Sequence, residues 1–457
     1  MKSSKSQSAF GLALTCAALT LSLAMCAQAQ TLTYLGQFDG ANGGDPYGPL
    51  VQAPDGNLYG QASGPGFAYG EIFRATPTGQ ITTLYSFCSQ PNCADGNSST
   101  PPILGSDGNL YGVALRGSGG GYSYSGTLYR MTLEGQITTL YTFCPSANCT
   151  YEEIPNGIVE GDDGSFYGAT FFGGTQDSGS VFKVSTNGQY TLLHSFCSAS
   201  NCADGYTPLF PPILGRDGKF YGTALGRQGG VVYQMTSSGA YKVLHTFCYP
   251  CIEGGVPSRL VQDAKGNLFG TTTFAVSYNT GNVFEISTTH QYRILHRFLY
   301  GGGVDPGTGL TLGSDGNFYG VALNDNFDTG GGHGTIFEVT PTGKFTTLHT
   351  FYNYPSGPLF QGADGSFYGT TRYNKSDVSG YGTVFRLSNG LGPQKKINPA
   401  SAKAGTSVMF NGVQANFTVG SDTYIKATVP AGATSGAVSV ITPSGTLNSS
   451  QQFFVMK

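Results

Sequence analysis

The chain of 457 residues contains no tryptophan, and only 11% of its residues are charged. The first absence removes the residue that most often stacks on sugar rings. The second leaves no lysine or arginine run anywhere, which argues against nucleic-acid or anionic-membrane partners. A nucleophile elbow, an HExxH helix, a P-loop and a Rossmann glycine run are missing too, so no familiar framework announces a reaction. What is present is 70 glycines and 23 prolines interleaved with 28 tyrosines and 30 phenylalanines. That mixture reads as many short strands joined by tight turns.

Residues 1–29 read as a secretion signal. Lys2 and Lys5 supply the positive start, Ala9 to Met25 an apolar core, and Ala27-Gln28-Ala29 a small-x-small site with cleavage before Gln30. A polar stretch follows the apolar core and no stop-transfer pattern is seen, so no membrane span is expected after cleavage. Cys26 follows Leu23-Ala24-Met25, a loose fit to a lipoprotein box, and lipidation there is the minor alternative. The expected location is secreted, cell-surface or periplasmic.

Seven variants of Asp-Gly-Asn-(Leu/Phe)-Tyr-Gly follow, ending at Gly60, Gly112, Gly168, Gly222, Gly270, Gly320 and Gly369. Self-similarity at about 50 residues means a repeat architecture. In the first unit, Pro49 to Gln52 leads to the turn Pro54-Asp55-Gly56-Asn57, and Leu58 to Gln61 is a second strand. Asp-Gly there suggests a hairpin turn with both central residues at positive φ. After a Gly-rich loop come Glu71 to Ala75, the turn Pro77-Thr78-Gly79, and Ile81 to Phe87. Four antiparallel strands in such a unit make one propeller blade. The seventh unit stops after its third strand, Gly382 to Leu387, while Leu32 to Phe38 stands as an orphan fourth strand at the start. The fold expected is all-β: a seven-bladed β-propeller over residues 31–389, closed by the N-terminal strand so that no sheet stays open.

The repeated Asp-Gly-Asn-Leu-Tyr-Gly, then Gly-Thr-Val-Phe (Gly382 to Phe385 and its variants), then Thr-Thr-Leu-Tyr-Ser-Phe, resemble the GloVer tandem repeat of choice-of-anchor exported bacterial proteins. The resemblance implies an exported, surface-associated protein and supplies no catalytic residues. After a linker at 390–396, residues 397–457 are similar to an IPT/TIG immunoglobulin-like β-sandwich. Phe410-Asn411-Gly412 and Val440 to Gly445 carry that likeness, but the segment between Gly405-Thr406-Ser407-Val408 and Phe410-Asn411-Gly412 is truncated.

Eight cysteines follow the leader in four close pairs: Cys88/Cys93, Cys144/Cys149, Cys197/Cys202 and Cys248/Cys251. An even count in an exported chain points to local disulfides. Zinc would need two pairs to meet, and successive blades hold them apart. His194, His245, His296 and His349 share one position in the fourth strand and read as packing residues between blades, not as ligands. No metal site and no cofactor is expected, with a cation at the channel mouth left open.

Asp45, Asp95, Glu153, Asp204, Glu253 and Asp305 each precede a first strand, in loops expected to ring the channel mouth. They fit a polar or cationic ligand, but the turn chemistry of Asp-Gly and Asp-Pro is the favoured reading. Tyr69, Tyr124, Phe172, Arg372 and Tyr373 lie in loops of the same face. The leading reading is a non-catalytic propeller binding an envelope glycan or protein there. A carbohydrate-active hydrolase or lyase, using Glu152 or Glu153 with Asp204, is one alternative; a purely structural surface protein is the other.

Overall fold

In a computed structural model, the described residues are 30–64, 69–115, 126–143, 153–249, 252–274, 281–298, 305–323, 334–351, 354–372, 380–391, 407–421, 424–427, 430–434, 436–442 and 445–453. They are all-β apart from two single 3-10 turns, Pro91–Cys93 and Ser200–Cys202. No helix among them is long and apolar enough to cross a membrane. Residues 1–29, expected to be a leader, lie outside the described residues, as do Cys144, Cys149, Cys251, Tyr124, Tyr373, Glu152 and residues 392–396 of the expected linker.

Residues 31–388 form seven antiparallel sheets among the described residues. Sheet 1 runs Gly44–Gln52, Leu58–Ser63, Gly70–Ala75, Ile81–Ser86 in chain order. Sheets 2 to 6 repeat that order, with second strands Leu110–Leu115, Phe166–Thr170, Phe220–Ala224, Leu268–Phe274 and Phe318–Leu323. Sheet 7 supplies Pro355–Gln361, Phe367–Thr371 and Thr383–Ser388, and its fourth strand is Thr31–Gln37. That strand pairs antiparallel with the third, from Thr31 opposite Ser388 to Gln37 opposite Thr383.

Each repeated motif has a mechanical cause. In the Asp-Gly turns only the glycine has positive φ, 83° at Gly56, and Gly56 N–H donates to Ala53 O. The expectation of two positive-φ residues is corrected. Pro54 presets φ near −65° at the second turn position, which favours a type I turn, and Gly56 follows in the left-handed region. Asp55 then caps this turn, accepting Asn57 N–H on Oδ1 and the Tyr59 hydroxyl on Oδ2 at 2.7 Å. The same aspartate–tyrosine bond recurs at Asp107–Tyr111, Asp163–Tyr167, Asp217–Tyr221, Asp315–Tyr319 and Asp364–Tyr368. Burial raises the Asp55 carboxyl pKa, but the bonds from Tyr59 and Asn57 outweigh it and hold the group below its ordinary range.

Every pairing of third and fourth strands slips by one residue at a leucine. In sheet 1 the slip lies between Thr83 and Tyr85, leaving Leu84 unpaired, and Leu35, Leu140, Leu193, Leu244, Leu295 and Leu348 are skipped likewise. A bulge re-aims a side chain, and here each leucine packs into the core between two sheets. The N-terminal strand thus carries the same irregularity as the other six.

The core is divided among the seven junctions between consecutive sheets. Phe73 and Leu58 of sheet 1 meet Tyr368 and Val384 of sheet 7; Tyr59 and Ile72 meet Leu110 and Tyr129 of sheet 2; the pattern continues through Tyr319, Phe367 and Phe385 between sheets 6 and 7. Polar ties span the same junctions. Ser356 Oγ donates to Pro46 O at 2.8 Å, Asn156 Nδ2 to Pro208 O at 2.6 Å, and Ala363 N–H to Gln52 Oε1 at 2.8 Å. Beyond this array, Ser407–Phe410, Val413–Ala415, Gly436–Thr442 and Gly445–Phe453 form a four-stranded sheet beside the hairpin Phe417–Ser421/Tyr424–Ala427. Val408, Phe410 and Ala415 are its buried residues.

Candidate functional site

A cavity of about 570 Å³ opens where sheets 6, 7 and 1 meet, at the end where first strands begin and second strands finish. Asp45, Tyr47, Thr308, Tyr354, Ser356 and Arg372 contribute to its wall. Two of its lining residues stand before proline, in Asp45-Pro46 and Tyr354-Pro355. The residue before proline is held extended or turned, away from helix. Asp45 is driven further, to φ 47°, a costly conformation for a residue with a side chain. Its N–H donates to Tyr381 O at 2.8 Å, which fixes it there.

Arg372 follows the second strand of sheet 7, and its N–H donates to Tyr354 O. Its Nε reaches Asp45 Oδ1 at 2.8 Å and its Nη2 reaches Oδ2 at 2.7 Å, a planar two-point pair. The bond to Asp45 raises the guanidinium pKa above its ordinary value despite partial burial. Beside the pair, burial pushes the Tyr47 hydroxyl pKa up; that hydroxyl lies 3.2 Å from Ser98 Oγ. The cavity therefore joins a fixed carboxylate–guanidinium plane to two tyrosines and small hydroxyls.

The other loop acids are placed differently. Asp95 and Asp204 are buried and turned back into their own loops. Asp95 takes the Tyr85 hydroxyl at 2.6 Å and the N–H groups of Ser89 and Gln90; Asp204 takes those of Ser198 and Ala199. These carboxylates cap loops closed by the disulfides Cys88–Cys93 and Cys197–Cys202. Asp204 also stands 3.3 Å from His194 Nε2, and Glu253 the same distance from His245 Nε2. Glu153 accepts the Tyr190 hydroxyl at 3.0 Å; burial raises its carboxyl pKa and that bond opposes the rise. Asp305 Oδ1 accepts Gly307 N–H at 3.0 Å. Asp95 and Asp204 thus carry out the turn chemistry of their own loops, where backbone N–H groups need an acceptor. Asp45 and Arg372 are the two expected residues that meet in one cavity. Tyr69 and Phe172 are exposed on their loops. Cys248 is disulfide-bonded as well. Local disulfides fit an oxidising compartment.

Tyr47, Thr308, Tyr354 and Ser356 were not singled out by sequence reasoning. The signal for them is the proline that opens the first strand, which marks the neighbouring residues at the mouth.

The Gloeobacter/Verrucomicrobia repeat pattern matches residues 98–328 and, overlapping, 208–440, well over half of the chain. The chain belongs to the Gloeobacter/Verrucomicrobia repeat family. No curated protein matches it. Among solved structures, puromycin hydrolase is similar at 14% identity and a TM-score of 0.47, over 72% of this chain and 50% of the hydrolase. This Gloeobacter/Verrucomicrobia repeat protein therefore spans about half the hydrolase's length. A luciferin-regenerating enzyme is similar at 13% identity and TM-score 0.41, over 80% of this chain and 98% of that one. A protein from Lactobacillus plantarum is similar at 15% and 0.44, over 67% and 85%. At such scores these likenesses say nothing of what the repeat protein binds.

Proposed function

We propose that this chain is an exported seven-bladed β-propeller, closed by its own N-terminal strand and followed by a short IPT/TIG-like domain, that binds a glycan non-catalytically at the cell envelope. The observation that carries the reading is the cavity at the junction of sheets 6, 7 and 1 with its Asp45–Arg372 plane. Its volume lies in the range of small-ligand sites, and it combines aromatic surface with a few fixed polar groups. A coplanar carboxylate and guanidinium present acceptors and donors side by side, which suits adjacent sugar hydroxyls. Exposed Tyr69 and Phe172 extend aromatic surface over neighbouring loops. The hydrolase reading gains no support from Asp45, which a two-point cation pair ties up, nor from Glu153 and Asp204, whose oxygens serve Tyr190 and the Cys197–Cys202 loop. Seven sheets, seven core junctions and the strand pairing of Thr31–Gln37 support the propeller reading.

The test is a glycan screen on the mature protein, followed by calorimetry on any hit. Arg372→Ala is expected to weaken binding at least tenfold, about 1.4 kcal/mol. A screen with no glycan bound, or a hit unaffected by Arg372→Ala, would reject the reading. Binding of an envelope protein alone would move the function to protein recognition.

A further inference from the structure

First strands of consecutive sheets touch one another and so line the axis of the array. A Cβ on Gly48 would meet Pro101, on Gly157 would meet Pro211, and on Gly357 would meet the Gly48 backbone. Gly309 lies against the Arg259 backbone in the same way. At this level sheets 1, 3, 6 and 7 carry glycine, whereas sheet 5 carries Arg259 in the run Pro257-Ser258-Arg259-Leu260.

Arg259 is an unusual resident of that wall. It sits deep in the molecule, where loss of water alone draws its guanidinium pKa below the ordinary value, yet it retains partial solvent exposure. Depth combined with access places it on the channel. Among the described residues its guanidinium has no ion pair, and its backbone carbonyl is what receives the Ser258 hydroxyl. The acid at the start of the adjoining first strand, Asp305, accepts Gly307 N–H in its own turn. A cation held at depth with no ion pair and only partial access to water is under-solvated, and an anion would complete it.

We propose that the axial channel contains an oxyanion site at Arg259, which takes a carboxylate or phosphate group. The guanidinium fork matches two oxygens of either group. Arg259 is not part of the Asp45–Arg372 cavity wall, although Thr308 of that wall is followed by Gly309, which abuts Arg259. If the glycan reading holds, Arg259 selects ligands bearing an acidic substituent, and this refinement rests on that reading. The anion site itself does not.

The experiment titrates the mature protein with sodium acetate, and separately with sodium phosphate, against sodium chloride at matched ionic strength, reading Tm. A ligand that binds only the folded state raises Tm with the logarithm of its concentration above Kd. Wild type is expected to show a saturable rise with acetate, phosphate or both, according to which group the site accepts. Arg259→Gln is expected to abolish the rise and Arg372→Gln to keep it. No specific rise, or the same rise in Arg259→Gln, overturns the proposal. Should Arg259→Gln fail to fold, the arginine Nε–H resonances of the wild type decide between the same two outcomes. One signal shifting saturably with acetate or phosphate supports the site, and none shifting rejects it. Loss of glycan binding in Arg372→Ala with the anion response intact would separate the two sites.

Discussion

The fourth-strand histidines show how one side chain serves two sheets. His194 stacks on Tyr241 with ring centres 3.8 Å apart, His245 on Tyr292 at 4.4 Å and His296 on Phe345 at 3.9 Å. Tyr141 does the same against Tyr190. Burial lowers the pKa of His194, His245, His296 and His349, so each is neutral when folded at neutral pH. The unfolded chain takes up those protons first. Stability is therefore present above the ordinary histidine pKa and is lost as pH falls through it toward the folded values. Urea midpoints are expected to drop between pH 7 and 5. His296→Tyr, which copies the residue that Tyr141 supplies at this position, is expected to flatten that slope, and an unchanged slope would refute the assignment. At this scale the sequence was readable where a residue recurs: shared histidine positions announced packing. The aspartate–tyrosine bond was also within reach, because the fifth repeat is its natural control. There Lys265 stands in the aspartate position and Phe269 in the tyrosine position, so both partners are missing together, and Asp263 caps Asn267 instead. Asp95 and Asp204 were harder, since burial depends on where a loop folds back and spacing alone does not say.

Between elements, close approach decides more than hydrogen bonding. The glycine that opens the third strand faces the proline that opens the next sheet: Gly126 faces Pro155, Gly179 faces Pro208, Gly281 faces Pro306, Gly334 faces Pro355 and Gly382 faces Pro46. A Cβ on Gly126 would lie 2.6 Å from Pro155 Cδ and 2.8 Å from Ala114 O. Gly126→Ala is expected to cost about 1–3 kcal/mol by overpacking. Gly56→Ala, with nothing within 4 Å, would pay only for its positive φ. Equal losses in denaturant melts would argue against the steric account. The strand order and the turns were legible from periodicity. The leucine bulge was not, although Leu recurs in every fourth strand: a one-residue slip turns the residues beyond it to the opposite face, but these strands are partly buried on both faces and have no clean alternation for that reversal to interrupt. The Cys-Ser-x-x-Asn-Cys-Ala-Asp-Gly run, present twice, forms two loops that share positive φ at both cysteines.

For the whole molecule, the junction of sheets 7 and 1 is where the two ends of the array are tied by polar bonds. Ser356–Pro46, Ala363–Gln52 and Arg372–Asp45 each link residues more than 300 positions apart. Deleting residues 31–37 leaves Thr383–Ser388 as a bare edge strand. Such edges recruit other chains, so the truncated protein is expected to self-associate in size-exclusion chromatography and to melt earlier than the parent. A monomer of parental Tm would show that the strand is dispensable. The pairing also imposes an order of events on synthesis. Thr31–Gln37 is the first strand of the array to be made, yet its partner Thr383–Ser388 is the last. A ribosome delivering this chain from its N-terminus must release six sheets and part of a seventh before that first strand has anywhere to dock. Until then the strand is an unsatisfied tether, and the molecule's final step of assembly belongs to the segment that emerged first.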